Sequence, residues 1–404
     1  MDILHIDVII LVYNKLDIQS ILFLSECNNI YYKIYQDNIL TILKNKIAMY
    51  TKIHVDDLNI RQLKNLCKFY DYKKKNFASL ISSSEMLILN KNGSLYRSNF
   101  HTEEYYKYKY NNKYVNKNDT IVDICKHAYS QYVINNDDEL ISIVTGEYAC
   151  TEYKNVEQMC VYLILQKDGN IINLFGDPFS TVKDIISISS DGGHCILLRK
   201  DGKVYSYGSN EYGQLGLGHY NYIKVPTLIP NINNIIGITT GMDYTLLLRS
   251  DEKVYGFGRN YNGSLGINRE DYESLRLSNE IFLNDKIHTP VLIPNISNII
   301  HISAGGAVSL LLRNDGKSYR MGESYYEHLE DRTPKIIKYK NQDNFLYNAL
   351  SFCNIKDNEI NNIVNICAQP DNLLLLLSTG EIYIIASKLT DKNPIVANIN
   401  DSKD

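Results

Sequence analysis

The chain has 404 residues, of which 22 % are charged and 44 % hydrophobic, with a net charge of −4. That length allows two or three ordinary domains, or a small domain ahead of a long repeat array; the slightly acidic balance excludes an electrostatic drive toward nucleic acid or anionic membranes. Thirty-three Tyr, no Trp and only eight Pro follow the codon drift of an AT-rich genome and say little about mechanism.

The start, MDILHIDVIILVY, carries two acids and no basic segment. Its apolar run, Val8 to Val12, is shorter than a signal-peptide core or a membrane span. The expectation is an intracellular chain, in cytoplasm or nucleus. The eight cysteines (27, 67, 125, 150, 160, 195, 353 and 367) show no CxxC spacing, which predicts reduced, mostly buried thiols.

Residues 1–76 predict a small all-α module. Ile6, Ile9, Ile10, Tyr13 and Leu16 recur at helical spacing. Asp17 is placed to cap a second helix bearing Ile18, Ile21, Leu22 and Leu24. Further helices are predicted through Tyr31–Ala48 and Leu58–Phe69, and Lys73-Lys74-Lys75 reads as a hinge. The succession of an acidic-apolar helix (Asp7–Tyr13), a Leu16-Asp17 break, an apolar helix (Ile18–Leu24), then Cys27 with Tyr31 or Tyr32 resembles an F-box. His5-Ile6 stands where that family has Leu-Pro. The resemblance implies that Ile6, Ile9, Ile10, Tyr13, Leu16, Ile21 and Leu22 dock a Skp-type adaptor of a cullin ubiquitin ligase, helix in groove. The alternatives are a helical cap on the following domain, or simply a small all-α domain.

From about residue 77 the chain repeats itself. Faint hairpin copies run through Met86–Tyr96, Tyr132–Leu140 and Tyr162–Ile171. The clearest unit is Ile186–Ile229, ISISSDGGHCILLRKDGKVYSYGSNEYGQLGLGHYNYIKVPTLI, and further copies begin at Ile236, Ile300 and Ile363. Each has an apolar strand, a small-residue turn, an apolar triplet, a tight turn and an alternating strand. Lys200-Asp201-Gly202-Lys203 between apolar runs is a strong hairpin signal. The turn position recurs at 93, 138, 169, 202, 252, 316 and 380, with glycine at Gly93, Gly169, Gly202, Gly316 and Gly380. The two shortest spacings, 138 to 169 and 169 to 202, predict trimmed units. The two long ones, after 252, predict loop insertions such as Arg269–Thr289.

The glycines of Gly213-Gln214-Leu215-Gly216-Leu217-Gly218 predict a compact connecting loop. A phosphate cradle would need a following helix N-terminus and a Gly-Lys-Ser/Thr ending, and neither is present. His194 occupies a recurring repeat position, which predicts a structural hydrogen bond; Cys195 beside it predicts core packing. Tyr105-Tyr106-Lys107-Tyr108-Lys109-Tyr110 interleaves bases with aromatics, a pattern seen in nucleic-acid binders; next to Glu103-Glu104 it reads instead as a solvated loop between units.

Asp191-Gly192-Gly193-His194 followed by DGKVYSYGSNEYGQLGLG resembles the regulator-of-chromosome-condensation repeat, strongly over about 180–325. The family's Trp-Gly is Tyr207-Gly208, Phe257-Gly258 and Met321-Gly322 here, and its His survives only at His194. The resemblance implies a mainly β fold: a degenerate seven-bladed β-propeller over 77–404, preceded by the all-α module of 1–76. Each blade buries its faces only against neighbours, so the ring must close. The combination with an AT-rich composition also resembles giant-virus repeat proteins. The implied function is a non-enzymatic protein-interaction scaffold, a substrate-recruiting adaptor for a cullin-type ubiquitin ligase. The alternatives are an exchange factor for a Ran-like small GTPase, by analogy of fold alone, or a generic viral interaction or structural protein. No catalytic, metal or cofactor residues are expected. The expected partners are proteins, a Skp-type adaptor and an unknown target, with no nucleic acid and no membrane, and the chain is expected to be a monomer.

Overall fold

The computed structural model describes most of residues 153–322, with a gap at 268–284, and outside that stretch chiefly the strands named below. Of residues 1–77 it describes Thr41, Leu43 and Lys44, all helical, with Leu43 fully buried. These three fall within the predicted third helix. The rest of the predicted helical module, the Lys73–Lys75 hinge included, lies outside the described residues.

The strands form seven antiparallel sheets, each a meander in chain order. Blade 1 is β1 (Ala78–Ile81), β2 (Glu85–Leu89), β3 (Leu95–Asn99) and β4 (Tyr105–Lys107). Blade 2 is β5 (Ile121–Lys126), β6 (Gln131–Asn135) and β7 (Leu140–Ile143), and blade 3 is β8 (Val156–Met159), β9 (Leu163–Gln166) and β10 (Ile171–Asn173). Blade 4 is β11 (Ile185–Asp191), β12 (His194–Arg199), β13 (Val204–Gly208) and β14 (Ile223–Leu228). Blade 5 is β15 (Ile235–Thr240), β16 (Tyr244–Arg249), β17 (Val254–Arg259) and β18 (Lys286–Leu292). Blade 6 is β19 (Ile299–Gly305), β20 (Val308–Arg313), β21 (Ser318–Met321) and β22 (Lys335–Ile336). Blade 7 is β23 (Ile363–Gln369), β24 (Asn372–Leu377), β25 (Glu381–Ala386) and β26 (Val396–Asn398).

The first strands neighbour one another in the order β1, β5, β8, β11, β15, β19, β23, and β23 lies beside β1. The seven sheets therefore close into a ring, a seven-bladed β-propeller with each first strand innermost. Sandwiching explains the strand chemistry. β12, β16 and β20 are buried over their first five residues, because neighbouring blades cover both faces of each sheet. Ile196, Leu197 and Leu198 are an unbroken apolar run for that reason. β13, nearer the rim, returns to strict alternation, burying Val204, Ser206 and Gly208.

The recurring turn position falls between second and third strands of every blade. Positions 93, 138 and 380 themselves lie outside the described residues. Gly169, Gly202 and Gly316 take positive φ (82°, 76° and 77°), and Glu252 takes 66° at the same place. These turns join blade to blade. The carbonyls of Gly169, Gly202, Glu252 and Gly316 accept the N–H groups of Ile185, Ile235, Ile299 and Ile363, at 3.4, 3.1, 3.3 and 2.9 Å. Each of those isoleucines opens the next blade.

Among the described residues blades 2 and 3 have three strands each, and Ile172 and Pro178 form an isolated antiparallel bridge beside β10. Two expectations are corrected. Tyr105, Tyr106 and Lys107 are not a loop: they form β4 and pair with Ser98, Arg97 and Tyr96 of β3. An outer strand satisfies the open edge of β3, and tyrosine suits a pleated surface. Lys286–Thr289 likewise belong to β18, not to the inserted loop.

Candidate interaction surface

Antiparallel order puts the first-to-second and third-to-fourth connections of every blade on one face of the ring. On that face the third-to-fourth connection of blade 4, residues 209–222, lies against blade 5. Its glycines leave no free cradle of N–H groups. Gly213 N–H donates to the Asn210 carbonyl (3.0 Å), Gly216 N–H to the Gly213 carbonyl (3.0 Å) and Gly218 N–H to the His288 carbonyl (2.8 Å). Asn210 staples the loop, accepting from Leu215 N–H (3.0 Å) and donating to the His219 carbonyl (2.8 Å). Asn260 repeats this in blade 5, with Leu265 N–H (3.0 Å) and the Ile267 carbonyl (2.7 Å). The approach to blade 5 is close enough that a Cβ on Gly213 would stand 2.6 Å from His288 Cα.

Side chains follow the loop onto blade 5. Tyr212 receives the Arg259 guanidinium 4.6 Å from its ring centroid and the Lys286 ammonium at 5.0 Å. Lys286 also lies 5.9 Å from the Tyr220 ring, which stands T-shaped to the His288 ring with centroids 5.2 Å apart. Arg259 Nη1 is 3.5 Å from Asp243 Oδ2. Burial nevertheless raises the Asp243 carboxyl above its ordinary range; the Arg259 charge opposes the shift, and Asp191 and Glu211 add to it. The result is an aromatic and cationic shelf at the edge of the loop face.

The shelf continues into the rim. Five large apolar side chains are exposed among the described residues, and four of them are Tyr220, Tyr222, Val225 and Leu228, within nine positions of one another; Tyr222 is 64 % and Val225 66 % exposed. The fifth, Met242, sits on the same face in the first turn of blade 5. The backbone of β14 is poorly suited to accept another strand. Pro226 removes a donor, Lys224 adds an exposed charge, and Thr227 Oγ1 already donates to the Val225 carbonyl at 2.9 Å. Contact with a partner there runs through side chains.

The residues singled out from sequence fall elsewhere. Ile6, Ile9, Ile10, Tyr13, Leu16, Ile21 and Leu22 lie outside the described residues, as do Gly93 and Gly380. Gly169, Gly202 and Gly316 are on the opposite face. There Arg199 and Arg249 fork onto Asp201 and Asp251 and lie over Tyr205 and Tyr255, at 5.4 and 4.8 Å. His194 and Cys195 are buried in blade 4. The rim residues were missed because their segment read only as the tail of a repeat; the available signal was an outer strand with apolar residues where solvent-facing polar ones belong. Among the described residues no group of three His, Cys, Asp or Glu could hold a metal ion, and no helix is long and apolar enough to cross a membrane.

Models of the regulator of chromosome condensation (RCC1) repeat match residues 185–214, 201–248 and 251–312. The chain is 27 % identical over 219 residues to the bifunctional serine/threonine-protein kinase/NEDD4-like E3 ubiquitin-protein ligase of Dictyostelium discoideum, which covers 52 % of this chain and 10 % of that protein. It is 43 % identical over 47 residues to the E3 ubiquitin-protein ligase HERC2 of Homo sapiens, covering 12 % of this chain and 1 % of that one. The matched part is thus a tenth or less of either relative. Among solved structures, Prp20p of Saccharomyces cerevisiae, described with its binding properties to Gsp1p and histones, superposes with a TM-score of 0.54 at 17 % identity, over 73 % of this chain and 80 % of that one. The chain carries RCC1 repeats and shares the propeller fold, an architecture consistent with a protein-interaction scaffold.

Proposed function

We propose that this chain is a non-enzymatic scaffold that holds a target protein on the rim and shelf of blade 4, and serves as a substrate-recruiting adaptor of a cullin-type ubiquitin ligase. The observation that carries the scaffold reading is the gathering of exposed apolar side chains on one outer strand (Val225, Leu228) and the loop leading into it (Tyr220, Tyr222), beside an aromatic and cationic shelf. Contiguous apolar surface of this kind marks contact sites, and each such side chain taken out of water contributes about 1.5–3 kcal/mol. The adaptor half rests on the F-box-like order of residues 7–32. It is supported by two relatives that match part of this chain and are named as ubiquitin ligases.

Cross-linked affinity purification of the full chain from producing cells tests both halves. Tyr222→Ser combined with Val225→Glu is expected to lose the target and keep the Skp-type adaptor. Ile9→Glu combined with Ile10→Glu is expected to do the reverse. Absence of any adaptor from the unmodified chain removes the adaptor half, and a target retained by the rim variant removes the surface. A second reading, exchange on a Ran-like small GTPase, is favoured by the structural likeness to Prp20p, a protein described as binding Gsp1p. Accelerated nucleotide release from a Ran-like GTPase by the purified chain would establish it in place of the adaptor.

A further inference from the structure

At two seams of the ring a loop from one blade plugs the next. In blade 4 the plug is Leu215-Gly216-Leu217, and a Cβ on Gly216 would stand 2.9 Å from the Phe257 ring of blade 5. In blade 5 it is Leu265-Gly266-Ile267; just before it, Ser264 Cα would lie 3.0 Å from a Cβ on Gly322 of blade 6. Leu215, Leu265 and Ile267 are fully buried, and Gly216 and Gly266 take positive φ, 67° and 65°. A hydroxyl of the next blade holds each plug by the carbonyl just before the triplet. Thr245 donates to the Gln214 carbonyl at 2.8 Å, and Ser309 to the Ser264 carbonyl at 2.9 Å. Thr245 and Ser309 pair with Phe257 and Met321, which are 0 % and 1 % exposed.

The seam between blades 3 and 4 is built differently. In blade 3 only residues 174–177 separate β10 from Pro178, and Leu174-Phe175-Gly176-Asp177 is not an aliphatic–glycine–aliphatic triplet. The holding residue changes too: Cys195 stands where Thr245 and Ser309 stand, and a thiol is a weak donor. Cys195 pairs with Tyr207, and Tyr207 is partly exposed where Phe257 and Met321 are sealed. Phe179, Val182, Tyr205 and Tyr207 form a partly buried apolar group over the core of this seam, the Phe179 and Tyr207 rings 4.9 Å apart. Leu228 pairs with Tyr205, so it shares that face of the sheet, and it is 43 % exposed.

We propose that the target protein inserts an aliphatic–glycine–aliphatic segment into the seam between blades 3 and 4, over Tyr207 and Leu228. This rests on the reading of blade 4 as the contact surface, and adds which side of β14 is used and what chemistry the target presents there. The two plugged seams show what fits. Paired aliphatic side chains fill the gap between blades, and a glycine lets the backbone lie directly against an aromatic ring. The segment covers apolar surface that the ring itself covers at the next two seams.

The test supplies a plug in trans. The probe is the peptide SNEYGQLGLGH, residues 209–219, with fluorescein at one end and a photoreactive benzophenone at the other, titrated into the full chain. Anisotropy is expected to saturate below about 1 mM, and the photoproduct is expected on tryptic fragment 168–183, which carries Phe179 and Val182. Leu228→Asp is expected to weaken binding about tenfold with the melting temperature unchanged. A peptide carrying Leu215→Asp and Leu217→Asp is expected to lose at least as much, which requires no change to the protein. Tyr220→Ser, beside His288 on the other flank, is expected to bind normally. No saturation, a photoproduct on fragment 287–313 instead, or a dimer of the chain that Leu228→Asp dissociates would overturn the proposal. So would a cross-linked target lost with Tyr222→Ser and Val225→Glu but kept with Leu228→Asp, a result that leaves the rim reading standing.

Discussion

Blades 4 and 5 are joined by His194 on Thr245, blades 5 and 6 by Tyr244 on Ser309. The geometry is the same and the residues differ. Because the Thr245 proton is committed to the Gln214 carbonyl, His194 Nε2, 3.1 Å from the Thr245 hydroxyl, is placed to donate to it. Tyr244 reaches further and also meets the Val308 carbonyl at 2.8 Å. At the next seam the two positions are Val308 and Leu373, so a latch of polar side chains ends there. A repeat position can thus lose its family residue and keep its role, provided the replacement reaches the next blade. The inner strands add an independent row of links, Ser189 to Thr240 (2.9 Å), Thr239 to Ala304 N–H (3.0 Å) and Ser303 to Ala368 N–H (2.9 Å).

The two latches separate most under truncation. Tyr244→Ala removes one of the largest fully buried side chains and is expected to cost about 3–5 kcal/mol, whereas Tyr244→Phe is expected to cost about 1–2 kcal/mol for the hydroxyl alone. Urea midpoints measure both; equal losses would mean that the hydroxyl contributes nothing. Acid separates them next. Burial lowers the His194 pKa from 6.5 to about 4. Between those values the unfolded chain holds a proton that the folded chain refuses. Its contribution is therefore complete above pH 6.5, is lost as pH falls toward 4, and amounts to about 3 kcal/mol. His194→Gln, which retains a donor, is expected to remove this component from the difference in stability between pH 7 and pH 4.5, and Tyr244→Phe is expected to leave it intact.

Smaller effects distinguish the turns. Gly202→Ala is expected to cost about 1–2 kcal/mol, since its φ is 76° and a Cβ would stand 3.0 Å from Asn234 Cα. Glu252→Gly, at the same place in blade 5, is expected to gain up to about 1 kcal/mol; a loss there would show that the Glu252 side chain matters more than its backbone strain. Smallest of all is the rim: Val225→Glu is expected to move the unfolding midpoint by no more than about 0.5 kcal/mol, whatever it does to a target. A large loss would mean that the rim belongs to the folding core and not to a contact surface.

The turns were legible because each is written locally. Asp201-Gly202 between two apolar runs defines a hairpin without reference to anything distant. β4 was misread because Tyr105–Lys107 is short, alternates bases with aromatics, and becomes a strand only when β3 offers it an edge. The rim was overlooked for a related reason: exposure of Val225 and Leu228 depends on their strand being outermost, which no window of sequence expresses.

Local patterning therefore determined what each unit is, since strand period and turn chemistry act over a handful of residues. The ring determined what the units do to one another. His194 and Thr245 are 51 residues apart, Tyr244 and Ser309 are 65 apart, and Val161 in the turn of blade 3 donates its N–H to Ser190, 29 residues on. Such pairs exist only once neighbouring blades exclude water from the seam between them, and that exclusion is a property of the closed assembly, not of any one repeat.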